Sequence, residues 1–423
     1  MSELNIALMA VGGLVLFLGL LSDFFRRTWW ASDPMTALIF GVLLGPVGLA
    51  WLDPNHWGIN QEVLLEQAAR FTLAIGLMGV ALRLPKNYIF RQWQPLALLL
   101  GLVMPLMWLA SGFLVYFILG IPFWEAMLVG GVITPTDPIV ATSIVTGVVA
   151  KRNLPRRLRH IISAESGAND GLAYPLVFLP LLLLNRPPGD ALFHWAVQTI
   201  LWEVGIAVVV GAVFGYSAGR LLEWAEAKNT MEKQSFLGYT IALTLFVLGA
   251  AKLLGSDGIL AVFVAGLISS ETIKGKERSE EENVQEAINR FFSLPIFILL
   301  GLTIPWQDWA SWGWNGAILV VAVLLLRRLP AILLLSNWIQ PIQNFPETLF
   351  VGWFGPIGVA AMYYANLAVR ETQGHEVWAI ASLMICASIF AHGLSATPLS
   401  QIYGRWHQKQ VSGEGSDPSL RSR

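Results

Sequence analysis

Apolar residues run through this chain in long blocks, interrupted by clusters of Pro, Gly, Trp and charge. A helical bilayer span needs about 20 predominantly apolar residues. Splitting the blocks at those clusters predicts about thirteen spans. They fall near residues 4–22, 33–51, 63–84, 95–119, 123–150, 157–184, 194–222, 235–254, 257–271, 288–305, 314–336, 346–369 and 376–403. The block at 257–271 is short, and without it the count is twelve. The pattern predicts an all-α polytopic membrane protein.

Composition agrees with the pattern. Only 13% of the 423 residues are charged and 55% are hydrophobic, with mean hydropathy +0.60, against about 25% charged in a soluble domain. Trp29, Trp30, Trp51, Trp57, Trp93, Trp124, Trp306 and Trp309 stand near the ends of apolar blocks, where an amphipathic ring prefers the membrane interface. The single cysteine, Cys386, excludes an internal disulfide framework. The formal net charge of −1 gives no sign of a nucleic-acid partner.

Charge placement predicts orientation. The first block is preceded only by Glu3 and followed by Arg26 and Arg27. A cleavable signal peptide has the opposite flanks, so this reads as a first span with its N-terminus outside. With thirteen spans, 21 of the 27 Lys and Arg fall in loops on one side. Only Arg186, Lys252 and Arg370 fall on the other. Basic loops mark the cytoplasmic face, which predicts N-out and C-in.

Three landmarks also recur at a nearly constant offset. GVLLG ending at Gly45 matches VFVAG ending at Gly266, GVALRLP ending at Pro85 matches GLTIP ending at Pro305, and the DPIVA at Pro138 matches the GPIGVA at Pro356. The offsets are 221, 220 and 218 residues. An offset of seven spans inverts topology between the copies, as in transporters built from inverted repeats. Chance likeness among Gly-rich apolar segments is the competing explanation.

Polar residues inside the apolar blocks carry the candidate chemistry. In ITPTDPIVAT, Pro135 and Pro138 each lack a backbone donor and disfavour helix at the preceding residue. The helix should therefore unwind around Thr134–Pro138. Bare backbone at membrane depth is tolerated where it lines a cavity or binds something, which places Asp137 at a broken-helix site. The alternative is a simple proline kink whose Asp reaches water. Gly355-Pro356-Ile357-Gly358 predicts a second break in the twelfth span.

The sixth span contributes SAESGANDGLAYP, residues 163–175. Glu165 and Asn169 share a helix face, with Asp170 one residue round from it. Gly167, Ala168, Gly171 and Ala173 make the helix thin, so that another backbone can approach. Ionised carboxylates at this depth need cations, protons or an Arg. Burial disfavours the charged form, so such a carboxylate holds a proton or a metal cation but hardly both. That competition is the chemistry of a cation/proton exchanger; a purely structural polar cluster is the alternative. Arg327 or Arg328 on the eleventh span would supply a permanent positive charge, and Glu66 with Arg70 on the third reads as an i,i+4 pair. Asp257 reads as a vestibule or helix-cap residue. Glu203, Glu125 and His392 read as interfacial or satisfied in the core, and His160 as a possible cytoplasmic pH sensor.

Taken together, TPTDPIVATSIVTG, SAESGANDGLAYP, LLLRRLPAI, GWFGPIGVAA and ALRLPKNYIF resemble the monovalent cation/proton antiporters. The resemblance is to the sodium/proton exchanger branch, with its bacterial NhaP-type and fungal plasma-membrane members, and covers about residues 4–403. It implies a six-helix core bundle moving against a dimerising scaffold. Residues 1–94 and 235–311 would form the scaffold, 95–185 and 312–403 the core, 186–234 a linker helix and 404–423 a short polar cytoplasmic tail. It further implies that Asp170 binds proton and cation, with Asp137, Glu165, Thr136 and Ser166 at or beside a transported Na+. Asn169, Arg327 or Arg328, and Glu66 would organise the site. The Asn169-Asp170 pair implies electroneutral exchange, since the superfamily's electrogenic members carry Asp-Asp there.

The expected activity is therefore exchange of Na+, or else Li+ or K+, for H+ by alternating access, serving pH and sodium balance. No cofactor is expected, and the expected partners are monovalent cations, protons, membrane lipid and a second copy of the chain. The short tail and lack of a targeting segment point to a prokaryotic inner membrane. Two other classes compete: an intramembrane hydrolase using Ser166 with His392 or Asp170 with Asp257, and a channel. Neither Asp stands in a Gly-x-Gly-Asp context, and the repeat with its broken helices favours alternating access.

Overall fold

The computed structural model describes residues 2–28, 32–228, 235–271 and 291–411. Trp29, Trp30, Lys233, the basic residues within 272–290 and the tail after residue 411 lie outside the described residues. Helix falls on each apolar block. The helices used below are α1 (Ser2–Thr28), α2 (Asp33–Leu44), α3 (Gln61–Arg83), α4 (Trp93–Leu119), α5 (Phe123–Val132), α6 (Gly147–Asn153), α7 (Arg156–Asn185) and α8 (Pro188–Ala225). They continue with α9 (Ser235–Leu253), α10 (Gly258–Ser270), α11 (Phe291–Leu302), α12 (Trp306–Trp338), α13 (Phe345–Trp353), α14 (Val359–Thr372) and α15 (His375–Val411). Six of these are long and apolar enough to cross a bilayer alone, and shorter apolar helices accompany them.

Local chemistry sets the boundaries. Asn60 caps α3 by accepting from Val63 N at 3.1 Å, and Asn344 caps α13 by accepting from Glu347 N at 3.0 Å. The second block is helical only to Leu44, because Gly45-Pro46 cannot continue it. The fifth block unwinds between α5 and α6 at its two prolines, and the twelfth unwinds between α13 and α14 at Gly355–Gly358.

A third discontinuity appears where the apolar pattern predicts an unbroken span: α12 breaks at Arg327–Arg328. Pro330 provides the reason, since it withholds a donor and crowds the carbonyl four residues back.

Around these breaks, α3 packs on α10 and α14, α8 on α10, α4 on α5 and α12, and the first half of α7 on α10. The α7–α10 contact depends on Gly171. A Cβ there would lie 2.8 Å from the Leu260 Cα and 3.0 Å from its nitrogen, so the two backbones cannot stay in place around a side chain. Gly171→Ala is expected to cost about 1–3 kcal/mol and to lower the unfolding temperature in detergent; an unchanged temperature would show that this approach is not tight.

Candidate functional site

The two unwound segments cross, and the site is built on the crossing. Asp137 donates its backbone N–H to the Pro356 carbonyl at 2.8 Å. Its carboxylate accepts from Ile139 N at 2.6 Å, from Val140 N at 3.0 Å and from Val359 N, the first residue of α14. The positive ends of the two continuing half-segments thus share one carboxylate.

Arg327 does the converse. It donates to the Ile133 carbonyl at 2.5 Å, to Thr134 O at 3.1 Å and to the Gly355 carbonyl, closing the carbonyl ends beyond α5 and α13. One anion and one cation therefore cap four backbone ends that the prolines left open.

Arg328, the neighbouring residue, points elsewhere. It forms a two-pronged pair with Glu165 on α7, at 2.5 and 2.7 Å, with both side chains buried. A further bond runs from its Nε to the Val351 carbonyl at 3.0 Å. The sequence expectation of a single Arg serving the site thus resolves into two with different partners. Glu165, expected beside the cation, has both oxygens engaged by Arg328.

Asn169 clamps the unwound segment. Its Oδ1 accepts from Thr136 N at 3.1 Å, its Nδ2 donates to Thr136 Oγ1 at 2.6 Å, and Thr136 Oγ1 lies 3.2 Å from Ser166 Oγ. Asp170, the next residue, is fully buried at 0% exposure, and neither carboxylate oxygen has a hydrogen-bond partner. Its backbone carbonyl accepts from the Tyr364 hydroxyl at 2.6 Å. Among the expected site residues, Thr136, Asp137, Ser166, Asn169 and Asp170 come together at the crossing, and Asp170 is the carboxylate left without a partner.

Glu66 is not brought there. It is buried at 4% exposure on α3 and pairs with Arg370 of α14 at 3.3 Å, rather than with Arg70, Arg327 or Arg328. Asp257 is the N-cap of α10, accepting from Ile259 N at 2.9 Å. His392 sits beside neither Ser166 nor Asp170: its Nε2 lies 2.9 Å from the Trp353 carbonyl and its Nδ1 3.0 Å from Ser388 Oγ. Ser388 Oγ in turn accepts from Ile357 N at 2.7 Å. This relay holds both ends of the unwound stretch of the twelfth block, a role the lone histidine did not signal. A second missed cluster joins three helices: Glu347 on α13 accepts from Arg157 on α7 at 2.5 and 2.7 Å and from the Tyr403 hydroxyl on α15 at 2.7 Å. Its only signal was the capping-box spacing of Asn344 and Glu347. No group of three or more His, Cys, Asp or Glu able to hold a metal ion occurs among the described residues.

The family model described as "Sodium/hydrogen exchanger, transmembrane" matches residues 13–402. The chain is 32% identical to "Na(+)/H(+) antiporter 2" of Zygosaccharomyces rouxii, an alignment covering 93% of this chain and 52% of that protein. It thus spans about half the length of that relative. It is 30% identical to a "Na(+)/H(+) antiporter" of Schizosaccharomyces pombe, over 93% of this chain and 89% of that one. Among solved structures, the sodium proton antiporter MjNhaP1 of Methanocaldococcus jannaschii at pH 8 superposes with a TM-score of 0.71 at 18% identity, covering 95% of this chain and 98% of that one. That likeness establishes a shared all-helical, multi-pass membrane fold.

Proposed function

This chain belongs to the sodium/hydrogen exchanger family, a transporter family rather than an enzyme family, and we propose that it exchanges Na+ for H+ across its membrane. The observation that carries the reading is Asp170, a fully buried carboxylate with two unpartnered oxygens beside a crossing of broken helices. An unpaired buried anion is too costly to persist. A proton or a monovalent cation must therefore hold Asp170, and one displaces the other.

Thr136 and Ser166, the hydroxyls bonded to one another beside it, are the neutral oxygens nearest to hand in this reading. Asp137, Arg327 and Glu165 then act as organisers, their hydrogen-bonding capacity directed at backbone or at Arg328. Movement is alternating access of a six-helix core, residues 95–185 and 312–403, against a scaffold that pairs two copies of the chain. Thirteen spans with the N-terminus outside fit the basic-loop asymmetry. Fungal and archaeal proteins stand together among the similar ones, and exchange across a plasma membrane is the reading we carry forward.

The test is proton movement in proteoliposomes with an acid interior. Added NaCl is expected to collapse the pH gradient, and KCl added in its place reads the ion preference. Because Asn169 precedes Asp170, one proton should leave for each cation that enters. The rate should then be the same whether the membrane potential is clamped at zero or set negative inside. A rate that follows the potential would overturn electroneutrality, and no response to Na+ or K+ would overturn exchange.

A further inference from the structure

The ion pairs Glu165–Arg328 and Glu347–Arg157 join core elements to one another. The pair Glu66–Arg370 does not. Glu66 stands on α3, in the proposed scaffold, and Arg370 on α14, in the proposed core. The contact lies at the face where α3 begins and α14 ends, the outer one on the proposed orientation. Beside it His375, the first residue of α15, lies 3.9 Å from Glu62, one turn back along α3. Both contacts therefore cross from scaffold to core at the same end. Beyond the other end of α3 the ties stay within the scaffold, where Lys86 donates to the Glu271 carbonyl at 2.6 Å and Asn87 N to Glu271 Oε1 at 2.7 Å.

The Glu66 contact has the geometry of a separable one. Glu165 and Arg328 meet through two hydrogen bonds of 2.5 and 2.7 Å. Arg370 Nε, by contrast, stands 3.3 Å from Glu66 Oε2, and that oxygen has no hydrogen-bond partner. The Arg370 side chain is 43% exposed and also meets Glu371 at 3.3 Å, so on release it keeps water and a carboxylate. Glu66 is the side at risk. It is buried, and a buried carboxylate stripped of its partner is strongly destabilising.

The scaffold carries replacements. Arg70, one turn along α3, and Lys252 on α9 act on Glu66 at longer range, and both line a small pocket with Tyr363 of α14. Among the described residues, the Arg70 Nε is buried without a hydrogen-bond partner. We propose that Glu66 exchanges cationic partners as the core moves. Arg370 holds the core in the position seen, with Asp170 shut off from the outer face; Arg70 and Lys252 take the carboxylate when Arg370 slides away. Shear between packed helices is a small sliding, and the exchange lets it proceed without stranding a buried charge. The tie acts on the loaded and the empty core alike, so it sets where the core rests and not what it carries. This inference rests on the exchange reading.

The test uses the full chain in right-side-out and inside-out vesicles, with initial rates measured against Na+ concentration at each face. Apparent affinity at a face scales with the fraction of carrier open to it. Arg370→Gln removes the tie and is expected to lower the apparent KM for Na+ at the outer face by about threefold, the scale of a half-exposed pair, and to raise it at the inner face. Arg370→Lys, which keeps the charge, should return both constants toward the wild type. Arg70→Gln/Lys252→Gln leaves the tie and removes the alternative partners, so it should move both constants the opposite way, which a merely structural pair would not do. An active wild type in which Arg370→Gln changes neither constant, or changes both in the same direction, overturns the tie. Loss of the opposite sign in the double variant overturns the partner exchange. An inert wild type overturns the exchange reading and this inference with it.

Discussion

Asp170→Asn is expected to abolish Na+-driven proton movement, to the background of protein-free liposomes, while leaving a folded protein. Asn matches Asp in shape but carries neither an exchangeable proton nor a charge, so both substrates lose their common place. Folding should not suffer, because both Asp170 oxygens lack partners and no bond is broken. Removing a buried, unpaired charge is neutral or stabilising.

The sharper readout is ligand linkage. Anything that binds the folded state raises its stability, by about 2.7 kcal/mol at a hundred times Kd. Na+ should therefore raise the unfolding temperature of the wild type in detergent and leave Asp170→Asn unmoved. In the wild type this shift should shrink as the pH is lowered and protons take the carboxylate. A variant that keeps the Na+ shift would move the cation site away from Asp170.

Arg328→Met is expected to produce the second largest effect, of a different kind. It leaves Glu165 buried and unpaired, and breaking a buried pair by removing one partner costs about 3–5 kcal/mol. Glu165→Gln should also destabilise, since Arg328 is then the unpaired charge. The double variant Glu165→Gln/Arg328→Met should be more stable than the sum of the two predicts, and a double-mutant cycle on unfolding measures that excess. A strictly additive pair would show that the two-pronged contact is not the source of stability. If Glu165 instead held the cation, Glu165→Gln would weaken Na+ affinity with stability intact, so the two readings separate on one variant.

How far the sequence could be read depended on whether the signal was local. The breaks at Pro135, Pro138 and Pro356 were legible because proline acts on its own neighbours, and the thin face of α7 was legible from Gly167 and Gly171. The placement of Asn169 beside Thr136 followed from the resemblance, not from spacing. Tertiary pairing was not legible. Arg327 and Arg328 are chemically identical neighbours, yet one closes backbone ends and the other meets Glu165, because the break ahead of Pro330 sends them in different directions. The i,i+4 spacing of Glu66 and Arg70 suggested a pair, but α14 packs on α3 and brings Arg370 to Glu66 instead. The His392–Ser388–Ile357 relay lacked any sequence signal, since a lone histidine in an apolar run looks the same with or without such partners.

The crossing has a consequence for fidelity. Asp137 is balanced by Arg327 through the backbone ends they share, and Glu165 by Arg328 directly, so on the proposed reading these four charges cancel in every state of the cycle. Asp170 alone is left to set the net charge of the centre. Loaded with a proton or with a monovalent cation, the centre is neutral. Empty, it is an anion with no compensation in a low-dielectric interior, where uncompensated charge is most costly. The unloaded carrier is therefore the one least able to reorient, and an unproductive return without cargo is opposed by self-energy rather than by a latch. Tight coupling between the two fluxes then requires no separate lock: it follows from leaving one carboxylate at the crossing without a partner.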